Sequence, residues 1–385
     1  VGAVLSWRAY AQLEASIEEL REAGDPVSIA DLKPEAIAPE DNAATYLARV
    51  SEDGAKLANE IEPLIYQGDF SWRSGLSPEK IELVAESFAA YPRVFPGFEQ
   101  AASSAAYAWP FDYTAAPDAF VEQIIERAQD RRIAGRLHDC RAMYLAAIGK
   151  PDEAAMVYLQ MLRITQLEQN DPLTISFLVR CAIEGITMQG LASLVQTAEL
   201  KPETHRAIEE QIARYGKTEN FVQTLRSERA FGIESFRAMP NPLGMRNRDW
   251  KNYLDLMKQL IAIGAKSKYE IGEPVELPDS GMAASILPAM DASRRAMHRS
   301  RATMRCLRIL NAIHLKRIES DDIKLADLEL PAEAIIDPYN GEPLRLKQTA
   351  HGWVVYAVGE DGVDNDGSIS DFQTDIGVGP PESFE

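Results

Sequence analysis

The sequence predicts a mainly α-helical fold, a bundle or array of helical hairpins followed by a small α+β module. Three observations predict it. Apolar residues recur every three or four positions over most of the stretch from 7 to 318, the period of helices with one buried face. Ser77-Pro78 and Lys201-Pro202 open two of these stretches, and proline at the first helical position marks a helix start. Beyond Leu325 the period shortens to two and turn residues intervene. The chain therefore divides into an N-terminal helix (1–24), an α-helical domain (25–280), and a module (282–385). The module combines a long helix, a small antiparallel sheet and an Asp-rich loop.

Taken in order, Tyr10, Leu13, Ile17 and Leu20 place the first helix over Trp7 to Ala23, and Gly24 with Asp25-Pro26 stops it. Val27 to Asp41, holding Pro34 and Pro39, reads as an extended connector. Tyr46, Leu47, Val50, Leu57, Ile61 and Leu64 mark a helix from Asp41 to Tyr66, with a kink or break at Pro63. Ser77 caps the next, which runs to Tyr91. Pro92 to Asp118 mixes prolines with Phe95, Phe98, Tyr107, Trp109, Phe111 and Tyr113. It reads as a loop packing its rings on the helices, and its rival is an aromatic-lined binding groove. Phe120 to Ile148, one helix or two, and Glu153 to Leu167 pair about the turn Gly149-Lys150-Pro151-Asp152. The apolar run Leu173 to Val195 is the expected central helix, interrupted or bent near Gly185 and Gly190. Helices follow at 201–212, 221–236 and 250–263. A loop at 272–281 then leads into a long helix from Met282 to Ile318, its polar face carrying arginines. Leu344 to Lys347 and Trp353 to Val358 are strands joined at Thr349-Ala350-His351-Gly352.

The net charge of −19 is unevenly placed. Glu319 to Glu385 holds sixteen acids and three bases, whereas Ala292 to Ile318 holds eight arginines and lysines and no acid. An acidic chain is a poor match for nucleic acid, whose backbone demands basic contacts. The arginine-rich helix is expected to bind phosphate or, more simply, to face the acidic tail or an acidic partner. No run reaches the roughly 18 apolar residues of a membrane span. Val1 to Ser6 meets Trp7, Arg8 and Tyr10, either as a frayed helix start or as the end of an anchor helix meets its interface belt. Cys140, Cys181 and Cys306 are far apart without a CxxC, so a thiol zinc site is not expected and buried free thiols are.

Catalytic signatures are missing from the sequence. The five histidines form no HExxH pair, and GxSxG, Walker and GxGxxG patterns do not occur. His138-Asp139-Cys140 places neighbours on different faces of a helix, so no mutual contact is expected. Glu184 stands in an apolar run, where an ion-paired or surface role is the plainer reading and a buried active carboxylate the sharper one.

The stretch with a chemical purpose is Trp353 to Gly379. Asp361, Asp364, Asp366, Asp371 and Asp375 crowd into fifteen residues with several glycines, and calcium takes six to eight oxygens from such loops. Uncompensated, these charges repel, so either a cation or the arginine helix must offset them. An EF-hand alignment puts Asp364, Asp366, Gly367 and Ile369 at loop positions 3, 5, 6 and 8. It then leaves Gly362 and Gln373 at positions 1 and 12, where carboxylates are required.

The helix, the Asp337-Pro-x-x-Gly-x-Pro-Leu turn, the strand pair, Gly359-Glu-Asp361-Gly and Asp375-Ile376-Gly377 together resemble the C-terminal half of type II secretion major pseudopilins. The likeness covers about residues 290–379. It implies a Ca2+ site with Asp361 and Asp375 as ligands, backbone carbonyls near Val358, and further oxygens from Asp364, Asp366 and Ser368. The filament-packing apolar helix of pseudopilins does not directly precede this module. The Gly149 to Ala155 hairpin turn looks like a tetratricopeptide turn, but no copy recurs near a 34-residue period. The whole chain is also similar in arrangement to uncharacterised bacterial envelope proteins, through stretches like Arg21 to Val27, 153–155, 180–185 and 228–232. The resemblance implies a membrane-anchored protein on the periplasmic or extracytoplasmic side.

The expected function is a non-enzymatic structural or interaction component of the cell envelope, in a pilin-like or multi-protein assembly with other envelope proteins or itself. The first alternative is a helical-hairpin adaptor binding a peptide or protein, and the second an unrecognised hydrolase using Glu184 or His138.

Overall fold

A computed structural model of the chain describes the backbone of all residues except 1, 67–71, 74, 215–218, 242–245, 272–281, 318–322, 370–373 and 382–385; the side chains of 2–9, 219–220 and 282–287 are also left undescribed. The expected 272–281 loop, Asp371, Gln373 and the side chains of Trp7 and Arg8 thus lie outside the described residues. Eleven α-helices and one three-stranded sheet are described. The helices are α1 (Gly2–Glu22), α2 (Ala43–Tyr66), α3 (Pro78–Ala90), α4 (Val94–Ser103), α5 (Pro117–Ala147), α6 (Pro151–Leu167), α7 (Leu173–Thr197), α8 (Pro202–Ala213), α9 (Glu219–Ala238), α10 (Asn247–Ile263) and α11 (Met282–Leu315). The strands are β1 (Arg345–Thr349), β2 (Gly352–Ala357) and β3 (Ile376–Val378), antiparallel in the order β1-β2-β3.

Several local signals act as expected. α1 ends at Gly24, whose φ of +75° lets the Asp25 N–H reach back to the Leu20 carbonyl at 2.9 Å. The Ser77 hydroxyl accepts from the Lys80 N–H at the start of α3.

Four expectations need correction. α2 reaches Tyr66 as expected, but Pro63 does not break it. Pro92 to Asp118 is not all loop, because Val94 to Ser103 form α4; Pro96 falls in its first turn, where the missing N–H has no helical partner to lose. α7 is one unbroken helix through Gly185 and Gly190. Gly190 serves close packing, since a Cβ there would lie 2.3 Å from the Tyr158 hydroxyl. Ile376 to Val378 form a third strand, and a Cβ on Gly377 would sit 2.1 Å from the Val355 carbonyl oxygen.

α5, α6 and α7 pack together at the centre. α2, α3 and α4 cover one side through Leu57, Ile61, Val94 and Phe98. α1, α9 and α10 build a second core around Phe221, Phe236, Trp250 and Tyr253. On a third side α8, α11 and the sheet share one core with α6 and α7, joined by Leu191, Leu307, Leu310 and Val355. The sheet is latched by the Gln196 Oε1, which accepts from the Trp353 N–H at 2.9 Å, and by Gln189 Nε2 donating to the Gly377 carbonyl at 3.0 Å. α7 is long and apolar enough to cross a membrane by composition, but it is 67% buried within this core.

Candidate functional site

The acidic loop divides its carboxylates in two directions. Asp361 Oδ1 accepts from the Val363 N–H at 3.0 Å, and its Oδ2 accepts from Asn365 Nδ2 at 3.3 Å. Asp375, 1% exposed, accepts from the Asn365 N–H at 3.1 Å and from the Gly367 N–H at 2.8 Å. These two acids converge on Asn365. Asp364 and Asp366 turn the other way, to Arg345 Nε at 2.8 Å and Lys347 Nζ at 2.6 Å on β1. Burial would raise the Asp364 carboxyl, but the Asp366 N–H, the Tyr356 hydroxyl and Arg345 together hold it below its usual range. Val358 gives its N–H to Asp337, and the Ser368 carbonyl accepts from Thr374 Oγ1 at 2.6 Å.

Each described aspartate in the loop is therefore committed to a backbone N–H, a side-chain amide or a cation. Among the described residues no three His, Cys, Asp or Glu side chains stand together as a metal cage. As arranged, the described carboxylates of the loop are engaged by its own hydrogen bonds and by the cations of β1, and Asp361 and Asp375 meet at Asn365. The offsetting charge comes from β1 and not from α11. The arginines of α11 are used elsewhere: Arg308 pairs with Glu209 at 2.6 Å, Arg305 donates to the Ile336 carbonyl, Arg301 to Ser267 Oγ, and Arg294 pairs with Asp291 at 2.7 Å; Arg317, just beyond the helix, pairs with Glu199.

The polar residues of the helical body pack into interfaces. His138 Nδ1 meets the Ala134 carbonyl at 2.7 Å and the ring lies on Phe98, while Asp139 accepts from Tyr158 and Tyr66 hydroxyls at 2.6 and 2.7 Å. Cys140, Cys181 and Cys306 are free thiols. Glu184 lies 3.6 Å from Arg180 and accepts from Ser300 Oγ at 2.7 Å, bridging α7 to α11.

A different site forms where four connections meet. The end of α1 with its connector (Arg21 to Pro34), the Tyr107 to Tyr113 segment, the α6–α7 junction (Gln169 to Pro172) and the α9 face from Gln223 to Ser227 enclose a groove of about 940 Å³. Such a volume lies at the upper end of the ~300–1,000 Å³ typical of small-ligand pockets.

Beneath it lies a buried charge network. Arg127 and Arg131 project from α5, and Glu168 and Asp171 from the α6–α7 junction; none is more than 7% exposed. Arg127 pairs with Glu168 and donates Nε to the Tyr107 oxygen at 3.2 Å. Arg131 Nε donates to Glu168 at 2.9 Å, and its Nη1 donates to the Ser176 carbonyl at 3.1 Å and stands 3.6 Å from Asp171. Tyr107 in turn donates to Asp171 Oδ2 at 3.0 Å, and the Arg127 guanidinium lies 3.9 Å over the Trp109 ring. Burial pushes the Asp171 carboxyl up to about 6, against the opposing pull of Arg131.

The backbone above this network is strained. Leu173, buried at the start of α7, has a φ of +70°, a conformation that costs on the order of 1–3 kcal/mol for a side-chain-bearing residue. Neighbouring side chains hold it there: Ser227 Oγ accepts the Leu173 N–H at 3.1 Å, and Glu228 accepts both the N–H and the hydroxyl of Thr174 at 2.9 and 2.6 Å.

The sequence reading named Tyr107, Trp109 and Tyr113 as groove candidates but missed Arg127, Arg131, Glu168 and Asp171. A signal for the arginines was present: they continue the buried stripe of Phe120, Ile124 and Ala128 on α5, where a charge is unexpected. Glu168 and Asp171 fall between helices and carry no periodic signal.

Compared with known proteins, the chain matches no protein-family model, no curated protein and no solved structure.

Proposed function

We propose that the chain is a non-enzymatic binding component of the bacterial cell envelope, and that the groove between α1, α7 and α9 takes its ligand. The observation that carries the binding reading is the groove's construction. A large concave surface stands over two buried ion-paired arginines and a carboxyl of raised pKa, beside a strained residue. Buried ion pairs are weak contributors to stability, so a core that keeps them invites a positional role for them. Here they fix the Tyr107 and Trp109 rings.

The groove offers binding groups more readily than reactive ones. Ser227 Oγ is held between the Leu173 N–H and the Thr224 carbonyl, and the Tyr107–Asp171 contact is tied to Arg127 and Arg131. Neither is a free nucleophile beside a free base. The envelope setting, the anchor and the assembly with other envelope proteins are supported by the resemblance in sequence alone.

The test fills the groove. Asn170 and Gln223 are exposed on its rim, and Asn170→Trp/Gln223→Trp blocks it without touching the network. Hydrogen exchange is followed with the purified protein incubated with a solubilised envelope fraction. The expected result is protection at 107–113, 169–172 and 223–227 in the wild type and none in the filled variant. Equal protection in both, or protection confined to other surfaces, would sink the reading.

A further inference from the structure

We infer that the ligand of this groove is a neutral oligosaccharide; the inference rests on the groove being the binding surface. Charge is the first argument. Among the described residues the lining contains Arg21, Lys33 and Arg226 against Asp25, Asp31 and Asp171, three of each sign. Most are already matched: Arg21 with Glu18, Arg226 with Asp25 at 3.4 Å, and Asp171 with Tyr107 and Arg131. Asp31 accepts the Val27 N–H at 3.0 Å. A groove of balanced, locally paired charge has no net field to draw in a polyanion or a polycation.

The kinds of side chain on offer are the second argument. Aliphatic lining is sparse: among the described residues it amounts to Leu32, Ala108 and three prolines. A peptide held by side-chain anchors needs apolar pockets, which this wall does not supply. What it supplies is aromatic surface from the partly exposed Tyr107 and Trp109, with the buried Tyr113 behind them, and the exposed planar amides of Asn170 and Gln223, whose side chains make no hydrogen bond among the described residues. An amide donates and accepts in one plane, which matches adjacent hydroxyls on a sugar ring. The C–H faces of the same ring pack on aromatic side chains.

Preorganisation is the third argument. Arg127 under the indole and the Arg127–Tyr107–Asp171 chain hold two of the rings in place before any ligand arrives. Less ordering cost then falls on the binding step. The volume of about 940 Å³ suits several linked rings.

The experiment is calorimetric titration of the full chain with neutral tetrasaccharides of glucose, mannose and N-acetylglucosamine, with a panel of extended peptides run in parallel. At least one tetrasaccharide is expected to bind saturably, with a Kd that changes less than about twofold when ionic strength is raised through the range that screens charge contacts. Affinity is expected to fall about tenfold in Gln223→Ala, the equivalent of losing ~1.4 kcal/mol. Trp109→Ala should lose more. Because that variant also strips the cover from Arg127, Trp109→Phe with retained binding and an unchanged melt guards against a folding artefact. The inference is overturned if no tetrasaccharide binds, or if binding survives both Gln223→Ala and the filled groove. Peptide binding abolished by Asn170→Trp/Gln223→Trp would overturn the saccharide while leaving the groove as the binding surface. No ligand sensitivity to the filled groove would remove both.

Discussion

The Asp-rich loop and the groove treat charge in opposite ways. In the loop the acids stay near solvent and are answered one at a time, Asp364 by Arg345, Asp366 by Lys347, and Asp361 by an amide. Among the described loop acids only Asp375 is buried, and it is spent on backbone N–H groups. Under the groove, two arginines and two acids are removed from water together and answered as a network. The difference teaches that a dense acidic run is cheap to satisfy at the surface. A few charges on the wrong side of a helix cannot be kept unless every one has a partner.

The largest test of this contrast removes the shared acid. Glu168→Ala leaves Arg127 and Arg131 buried without their common carboxylate and is expected to cost about 3–5 kcal/mol in denaturant melts. Asp366→Ala breaks a pair whose acid is 85% exposed and is expected to cost less than ~1 kcal/mol. Similar losses in the two variants would erase the distinction between network and surface pairs.

A second test uses pH. The folded Asp171 carboxyl titrates near 6, above its unfolded value, so the folded state holds the extra proton between about pH 4 and pH 6. Stability contributed at this position therefore falls as pH rises through that window. Relative to Asp171→Asn, the wild type is expected to lose roughly 3 kcal/mol between those limits. Asp364, lowered in the folded state, has the opposite sign: its contribution is present above its unfolded pKa and is lost on acidification. Melts of wild type and both Asn variants from about pH 2 to 7 read the two signs, Asp171 between about pH 4 and 6 and Asp364 below about pH 4, and matching slopes would contradict the assignment.

The smallest effect expected concerns metal. Asp375→Ala should destabilise the protein by about 1–3 kcal/mol through the unpaired N–H groups of Asn365 and Gly367. The loss should be the same in calcium and in chelator, and the wild-type Tm should not move between them. A calcium-dependent rise in Tm that disappears in Asp375→Ala would restore the cation to this loop and redraw its donor set.

Much of the architecture was readable from local signals. Ser77, Gly24 and the Lys201-Pro202 start act within one turn of a helix, so their meaning does not depend on what lies across the fold. α4 was hidden because Pro92, Pro96 and Gly97 weigh against a helix, yet their positions near its first turn cost it little. β3 was hidden inside the Asp375-Ile376-Gly377 motif. Gly377 there lets β3 approach β2, and Asp375 ties the loop that precedes it.

The candidate site was legible only in pieces. Tyr107, Trp109 and Tyr113 stood out by composition, and the arginines of α5 stood out only against the apolar stripe they interrupt. Nothing in the chain order says that residues near 25, 108, 170 and 225 share one wall, because that depends on how α1, α5, α7 and α9 pack. By itself the sequence determined helical period, several caps, the change to strands after Leu325 and the placement of the acidic run, since each depends on neighbours a few residues away. The tertiary structure alone decided which charges are buried, which partner each receives and where a groove opens. Those outcomes follow from long-range packing, in which an ion's cost is set by the whole surface around it.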